Sequence, residues 1–135
     1  MTAAEKQDAI VERIHALGDC FEQYSYLLLL AGRHPSLPEA LRTEENIVRG
    51  CQSLVWVIVR REDGVLRMQA DSDTLIIKGV LSLLTEIADG APCAEIAALP
   101  FDLFDRLDLG LVFESTRLTG IRSIWDTIRT AALEG

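Results

Sequence analysis

Ser53-Leu54-Val55-Trp56-Val57-Ile58-Val59-Arg60, then Glu62-Asp63-Gly64, then Val65-Leu66-Arg67-Met68-Gln69-Ala70 is the stretch that decides the fold. The first segment is β-branched and apolar at both alternating positions, the pattern of a strand covered on two faces. Glu62-Asp63-Gly64 supplies a hairpin turn, and the second segment puts Leu66, Met68 and Ala70 on one side of a returning strand. Just upstream, Asn46-Ile47-Val48 reads as a short strand completing a three-stranded antiparallel meander. Gly50-Cys51-Gln52 then falls at the bend between its first two strands.

Helical periodicity surrounds this sheet. Ile10, Ile14, Leu17, Phe21, Tyr24 and Leu28 recur in steps of four and three, one face of a long helix or helix pair. Gly18-Asp19 interrupts it; Asp19 suits the cap of a fresh helix to about Ala31, and Gly32 supplies a stop. His34-Pro35-Ser36-Leu37-Pro38 is extended or turned, because proline restricts its neighbours. Ile76, Val80, Leu83 and Ile87 stripe a helix from about Thr74 to Ala88, closed by Asp89-Gly90. Pro92 to Leu99 is a shorter helix and Pro100 to Asp105 a further turn. Leu107-Asp108-Leu109-Gly110-Leu111 is loop-like, and Ile121, Trp125, Ile128 and Ala132 mark the closing helix. The fold class is therefore α+β: a small three-stranded antiparallel sheet packed against several helices, as one domain over residues 1–135.

With 49% apolar and 25% charged residues, the chain has the balance of a globular protein with a real core. Two Trp, two Tyr and four Phe are too few for a large aromatic binding surface. A net charge of −8 repels phosphate backbones and anionic lipid, so nucleic acid and bare membrane are poor partners and a basic protein surface is a better one. The start, Met1 to Asp8, is polar and reads as a helix beginning rather than a signal peptide. The longest apolar run, Leu27 to Ala31, is too short to span a bilayer. Cys20, Cys51 and Cys93 are odd in number and widely spaced, neither a disulfide framework nor a CxxC metal pattern. Free thiols in a reducing cytoplasm are the expectation.

The three thiols differ in setting. Cys20 lies beside Phe21 on a helix and reads as a small buried or half-buried hydrophobe; Cys93 follows Pro92 at a helix start and reads as a loop cysteine without a role. Cys51 follows a glycine at the mouth of an apolar strand, where reactive groups are often mounted. Position alone leaves its functional and structural readings both open.

The flanking residues bear on that choice. Asn46-Ile47-Val48-Arg49-Gly50-Cys51-Gln52-Ser53-Leu54-Val55-Trp56 closely resembles the signature of the SufE family of sulfur acceptors. Asp71-Ser72-Asp73-Thr74-Leu75-Ile76-Ile77-Lys78-Gly79-Val80 is similar to the family's Asp-Ser-Asp helix start with its Lys-Gly pair. Tyr26 to Arg33, with Leu37-Pro38, is similar to its first common stretch. Phe113-Glu114-Ser115-Thr116-Arg117-Leu118-Thr119-Gly120, placed before the last helix, keeps the family's Arg and Gly but departs from its Pro, Ser and Asn at Ser115, Thr116 and Thr119. The resemblance implies a SufE/IscU-like fold and a persulfide carried on Cys51. Gly50, Gln52, Asp73 and Arg117 support it, with Asp73 and Arg117 paired near the Cys51 loop. It further implies a pyridoxal-phosphate (PLP) cysteine desulfurase of the SufS/CsdA type as partner, stimulated by this chain, and a downstream sulfur or Fe–S scaffold acceptor. PLP belongs to that partner, and this chain is expected to hold no cofactor or metal.

Other constellations carry less. Asp71-Ser72-Asp73 fails as a calcium loop, because Leu75 and Ile76 stand where an oxygen ligand and a glycine are needed; helix capping is the plainer reading. Arg49 is too divergent from Cys51 on a strand to help it much electrostatically. A hydrolase would need a base such as His34 within hydrogen-bond reach of Cys51, and nothing in the sequence puts it there; a solvent-exposed histidine is the expectation. Tyr24, Tyr26 and Trp125 suit core or half-buried helix positions. A pure interaction module, with Cys51 structural, is the other rival.

Overall fold

The computed structural model describes residues 1–107, 109 and 113–134. Most of the expected loop at Leu107–Leu111 lies outside those residues. Helix α1 (Ala3–His15) opens on a reciprocal cap: Glu5 N donates to the Thr2 hydroxyl at 3.1 Å and Thr2 N donates to the Glu5 carboxylate at 3.0 Å. Gly18, at φ +119°, then breaks the chain, and Asp19 caps α2 (Cys20–Arg33) by accepting from the N–H groups of Phe21 and Glu22. That break resets the helical phase. Ile10 and Ile14 are buried as expected, but α2 buries Gln23, Leu27 and Ala31, while Phe21 is 71% exposed. A left-handed glycine rotates the second helix about its axis, so a stripe counted across it does not carry over.

Strands β1 (Val55–Glu62) and β2 (Val65–Ser72) pair antiparallel from Val55↔Ser72 to Glu62↔Val65. Asp63 (φ 52°) and Gly64 (φ 78°) make the two-residue turn with the positive dihedrals that match strand twist. Val55, Trp56 and Val57 are buried on both faces, whereas the turn end of β1 is open.

The sheet has two strands among the described residues, not the three expected. Ile47 makes one isolated bridge to Trp56, and Val48 N donates to Val55 O at 2.9 Å. A tight turn at Glu44–Asn46 precedes this stub and Gly50 (φ 89°) turns the chain after it, so pairing has no room to continue.

Helix α3 (Leu75–Ala88) is the centre of the core. Ile76, Val80, Leu83 and Ile87 are buried as expected, and so are Ile77, Leu81 and Leu84. It crosses α2 so closely that a β-carbon added to Gly79 would lie 2.8 Å from the Leu27 carbonyl carbon, and nearer still to its oxygen. Helix α4 (Cys93–Ala98) and the long α5 (Ser115–Leu133) complete the fold, with α5 packed on α4 and on β1. Phe101 stacks on Trp125 of α5 at 4.4 Å between ring centroids. Because α5 begins at Ser115, Arg117 and Gly120 lie inside its first turns and not in a loop before it.

Candidate functional site

The residues around Cys51 are shaped by two glycines. Gly50 needs its positive φ, and a β-carbon there would come within 2.8 Å of Ser123 Oγ on α5. This lets the loop lie flat on the helix and tuck Cys51 beneath it. Gly120 lies opposite: a β-carbon on it would stand 3.4 Å from Cys51 Sγ. The half-buried Cys51 thiol donates to the Gly120 carbonyl at 3.3 Å.

Cys51 borders a cleft of about 40 Å³. Val55, Ile77 and Ile124 give it apolar walls, and Glu114, Thr116 and Arg117 line its polar side. That is room for about one or two water-sized groups, or one further sulfur on the thiol. Burial pushes the Cys51 thiol above its ordinary pKa, because a thiolate there loses hydration. The resting group is a neutral, sheltered thiol, a poor nucleophile until it moves or gains a partner.

The supporting residues divide. Gln52 is exposed at the rim, and Arg117 lines the cleft with its guanidinium 5.9 Å from the centre of the Phe113 ring. Asp73 accepts from Leu54 N and the Thr74 hydroxyl, both at 3.1 Å. Asp73 and Arg117 therefore do not form the ion pair the resemblance implied; each has another partner. Arg49 is exposed and only loosely associated with Glu44, at 3.9 Å.

Asp71, read from the sequence as part of a cap, does something else. Its fully buried carboxylate accepts from Leu37 N at 2.9 Å and from Arg42 at 2.7 Å, with Lys78 Nζ at 3.4 Å. Burial raises its pKa, but the Leu37 and Ser72 N–H groups and Lys78 together outweigh it and hold the carboxyl below its ordinary value. Arg42 also lies over the Trp56 ring, 5.3 Å from its centre. Asp71 thus pins the segment after α2 onto the sheet. Sequence reasoning missed it; a lysine one helical turn into α3 was the available signal.

No imidazole stands by Cys51. His34 is half-buried rather than solvent-exposed and bonds the Ala70 carbonyl at 2.7 Å, lining a different cavity; His15 bonds the Arg106 carbonyl. Cys20 is half-buried at the start of α2 and Cys93 is buried at the start of α4. Among the described residues no acidic, cysteine or histidine cluster suits a metal, and no helix is long and apolar enough to cross a membrane.

A two-stranded hairpin capped by helices, with one sheltered loop thiol against a helix glycine, defines a small α+β class of protein. Residues 8–132 match the family model described as the SufE Fe–S metabolism associated domain. An uncharacterized SufE-like protein of Rhizobium etli is 34% identical over 130 residues, spanning 93% of this chain and 88% of that protein. Another from Rhizobium meliloti is 31% identical over 130 residues, covering 93% of each. The solution structure of a hypothetical protein from Thermus thermophilus superposes with a TM-score of 0.80 at 20% identity, over 99% of this chain and 97% of that one, which shows a shared fold. The chain belongs to the SufE family, whose domain is associated with Fe–S metabolism.

Proposed function

We propose that Cys51 accepts sulfur as a persulfide from a PLP-dependent cysteine desulfurase, stimulates that enzyme by clearing its sulfur, and passes the sulfur on toward Fe–S cluster assembly. The observation that carries this reading is the half-sheltered Cys51 thiol at a cleft with room for one more sulfur and no imidazole beside it. A hydrolytic nucleophile needs an adjacent base; a carrier needs shelter for its cargo and a way out.

In the transfer, Cys51 loses its proton and its thiolate attacks the outer sulfur of the donor's persulfide. The donor S–S bond breaks as a new S–S bond forms on Cys51, and the donor cysteine leaves as a thiolate, with no net oxidation. PLP stays on the donor, this chain works as an accessory without a cofactor of its own, and a reducing cytoplasm suits its free thiols. The raised thiol pKa makes outward movement at the partner surface part of the step. A protein of net charge −8 is drawn to basic side chains there.

Mass spectrometry after incubation with a cysteine desulfurase and cysteine tests this. Added sulfur mapping to Cys51 supports it, and a Cys51 peptide that never gains sulfur sinks it. Cys51→Ser is expected to abolish the stimulation; full stimulation by that variant would make the chain an interaction module.

A further inference from the structure

Thr74 occupies the N-cap of α3, where a threonine hydroxyl ordinarily accepts from an N–H group of the first turn. Here it makes no cap bond. Its hydroxyl lies 2.8 Å from Ser53 Oγ, two residues past Cys51, and 3.1 Å from Asp73 Oδ1; with its one proton on Asp73, it accepts the Ser53 hydroxyl proton, so both contacts are made. Its neighbours reinforce that direction. Leu54 N donates to Asp73 Oδ1, and the Leu54 carbonyl accepts from Ser72 Oγ at 2.8 Å and from Asp73 N at 3.2 Å. On the entering side, Val48 is fixed to Val55.

Between these anchors, Arg49 to Gln52 are held weakly: one thiol–carbonyl bond at 3.3 Å and one exposed charge contact at 3.9 Å. Leu54 keeps its place through several bonds. Ser53 has only the hydroxyl bond to Thr74 among the described residues. That single bond decides whether the weakly tethered stretch ends at Gln52 or includes Ser53.

We propose that Thr74 is a positioning residue for Cys51: by holding Ser53 Oγ it sets the point where the Cys51 loop hinges and keeps the thiol in its cleft under Gly120. Its purpose rests on Cys51 being the sulfur carrier, but its geometry does not. Breaking the Thr74–Ser53 bond lengthens the free segment by one residue and lowers the cost of leaving the Gly120 carbonyl. The helix gives up a cap bond to hold the loop.

Iodoacetamide alkylation of the whole chain alone, mapped by peptide, tests this, with the half-buried Cys20 as internal control. Thr74→Val is expected to speed Cys51 alkylation roughly two- to ten-fold, the range that a net neutral hydrogen bond spans. Ser53→Ala should also speed it, and the double variant should not exceed Thr74→Val, because the Thr74–Ser53 bond is common to both. Thr74→Ser should restore the native rate, and Cys20 should react equally in all. An unchanged Cys51 rate in both single variants overturns the proposal. So does equal acceleration at Cys20, which marks general loosening, or fully additive effects. A chain that takes no sulfur from a desulfurase would refute the carrier reading while leaving this result intact.

Discussion

Replacing Gly79 with alanine sets two effects against each other, and the structure decides the sign. In a helix interior alanine is favoured over glycine by about 1 kcal/mol. At Gly79 the added β-carbon meets α2 backbone, 2.8 Å from the Leu27 carbonyl carbon and 3.1 Å from its Cα. Carbon atoms pack at about 3.5–4.0 Å, and no side-chain rotation moves a backbone atom, so α2 has to retreat by roughly an ångström. Such overpacking costs about 1–3 kcal/mol, and a rigid backbone neighbour puts it at the upper end. The net is a loss of about 2 kcal/mol, or about 6–10 °C in Tm for a chain of this size. Urea unfolding followed by far-UV circular dichroism should show a lower midpoint with an unchanged slope. Gly32→Ala is the matched control: it lies in α2 with nothing within 4 Å of an added β-carbon, so it should gain up to about 1 kcal/mol. A Gly79→Ala midpoint equal to or above the native one would refute the close crossing of α2 and α3.

The other expectations concern the site and its supports. Cys51 alkylation in the isolated chain should rise with pH to a midpoint above that of a free thiol, about 8.5, because burial raises the Cys51 pKa; a midpoint at or below that value counts against a sheltered resting thiol. Gly50→Ala should cost about 1–2 kcal/mol through its positive φ and displace the loop from Ser123, which faster Cys51 alkylation would reveal; a native rate would mean the loop does not need that geometry. Asp71→Asn leaves Arg42 and Lys78 short of their buried counter-charge, a loss toward the lower end of about 3–5 kcal/mol because Arg42 is partly exposed. Asp71's folded pKa lies below its ordinary 3.8, so its contribution is complete above that value and is lost as pH falls through the lowered one. Acid titration of stability should therefore be shallower below about pH 4 in Asp71→Asn, and identical acid limbs would remove Asp71 from the account.

Local chemistry was the legible part of this sequence. The hairpin announced itself through alternating Val and Ile around Asp63-Gly64, and α3 through a stripe long enough to resist misreading. The bend expected at Gly50-Cys51-Gln52 was legible because its glycine answers a local backbone need. What depended on three-dimensional phase was not legible. The stripe through Phe21 failed because Gly18 rotates one helix against the next, and the third strand failed because a ladder needs length as well as β-branched residues. The Asp73–Arg117 pairing failed for another reason. Nearer partners, Leu54 N for one and the Phe113 ring for the other, satisfied each group first. Asp71 was hidden because its partners come from positions 37, 42 and 78, a set that no spacing rule joins.

The anchored loop ends have a consequence for reach. Cys51 stands three residues from Val48 and two from Ser53, and a chain spans at most about 3.3–3.6 Å per residue. With both anchors in place, the shorter arm limits the Cys51 backbone to roughly 7 Å from Ser53. A donor sulfur deeper than that arm plus one side chain cannot be met by this loop alone. Under the proposed transfer, the donating protein has to supply the remaining distance, by a shallow pocket or by a mobile thiol of its own, which divides the span of the handover between two chains.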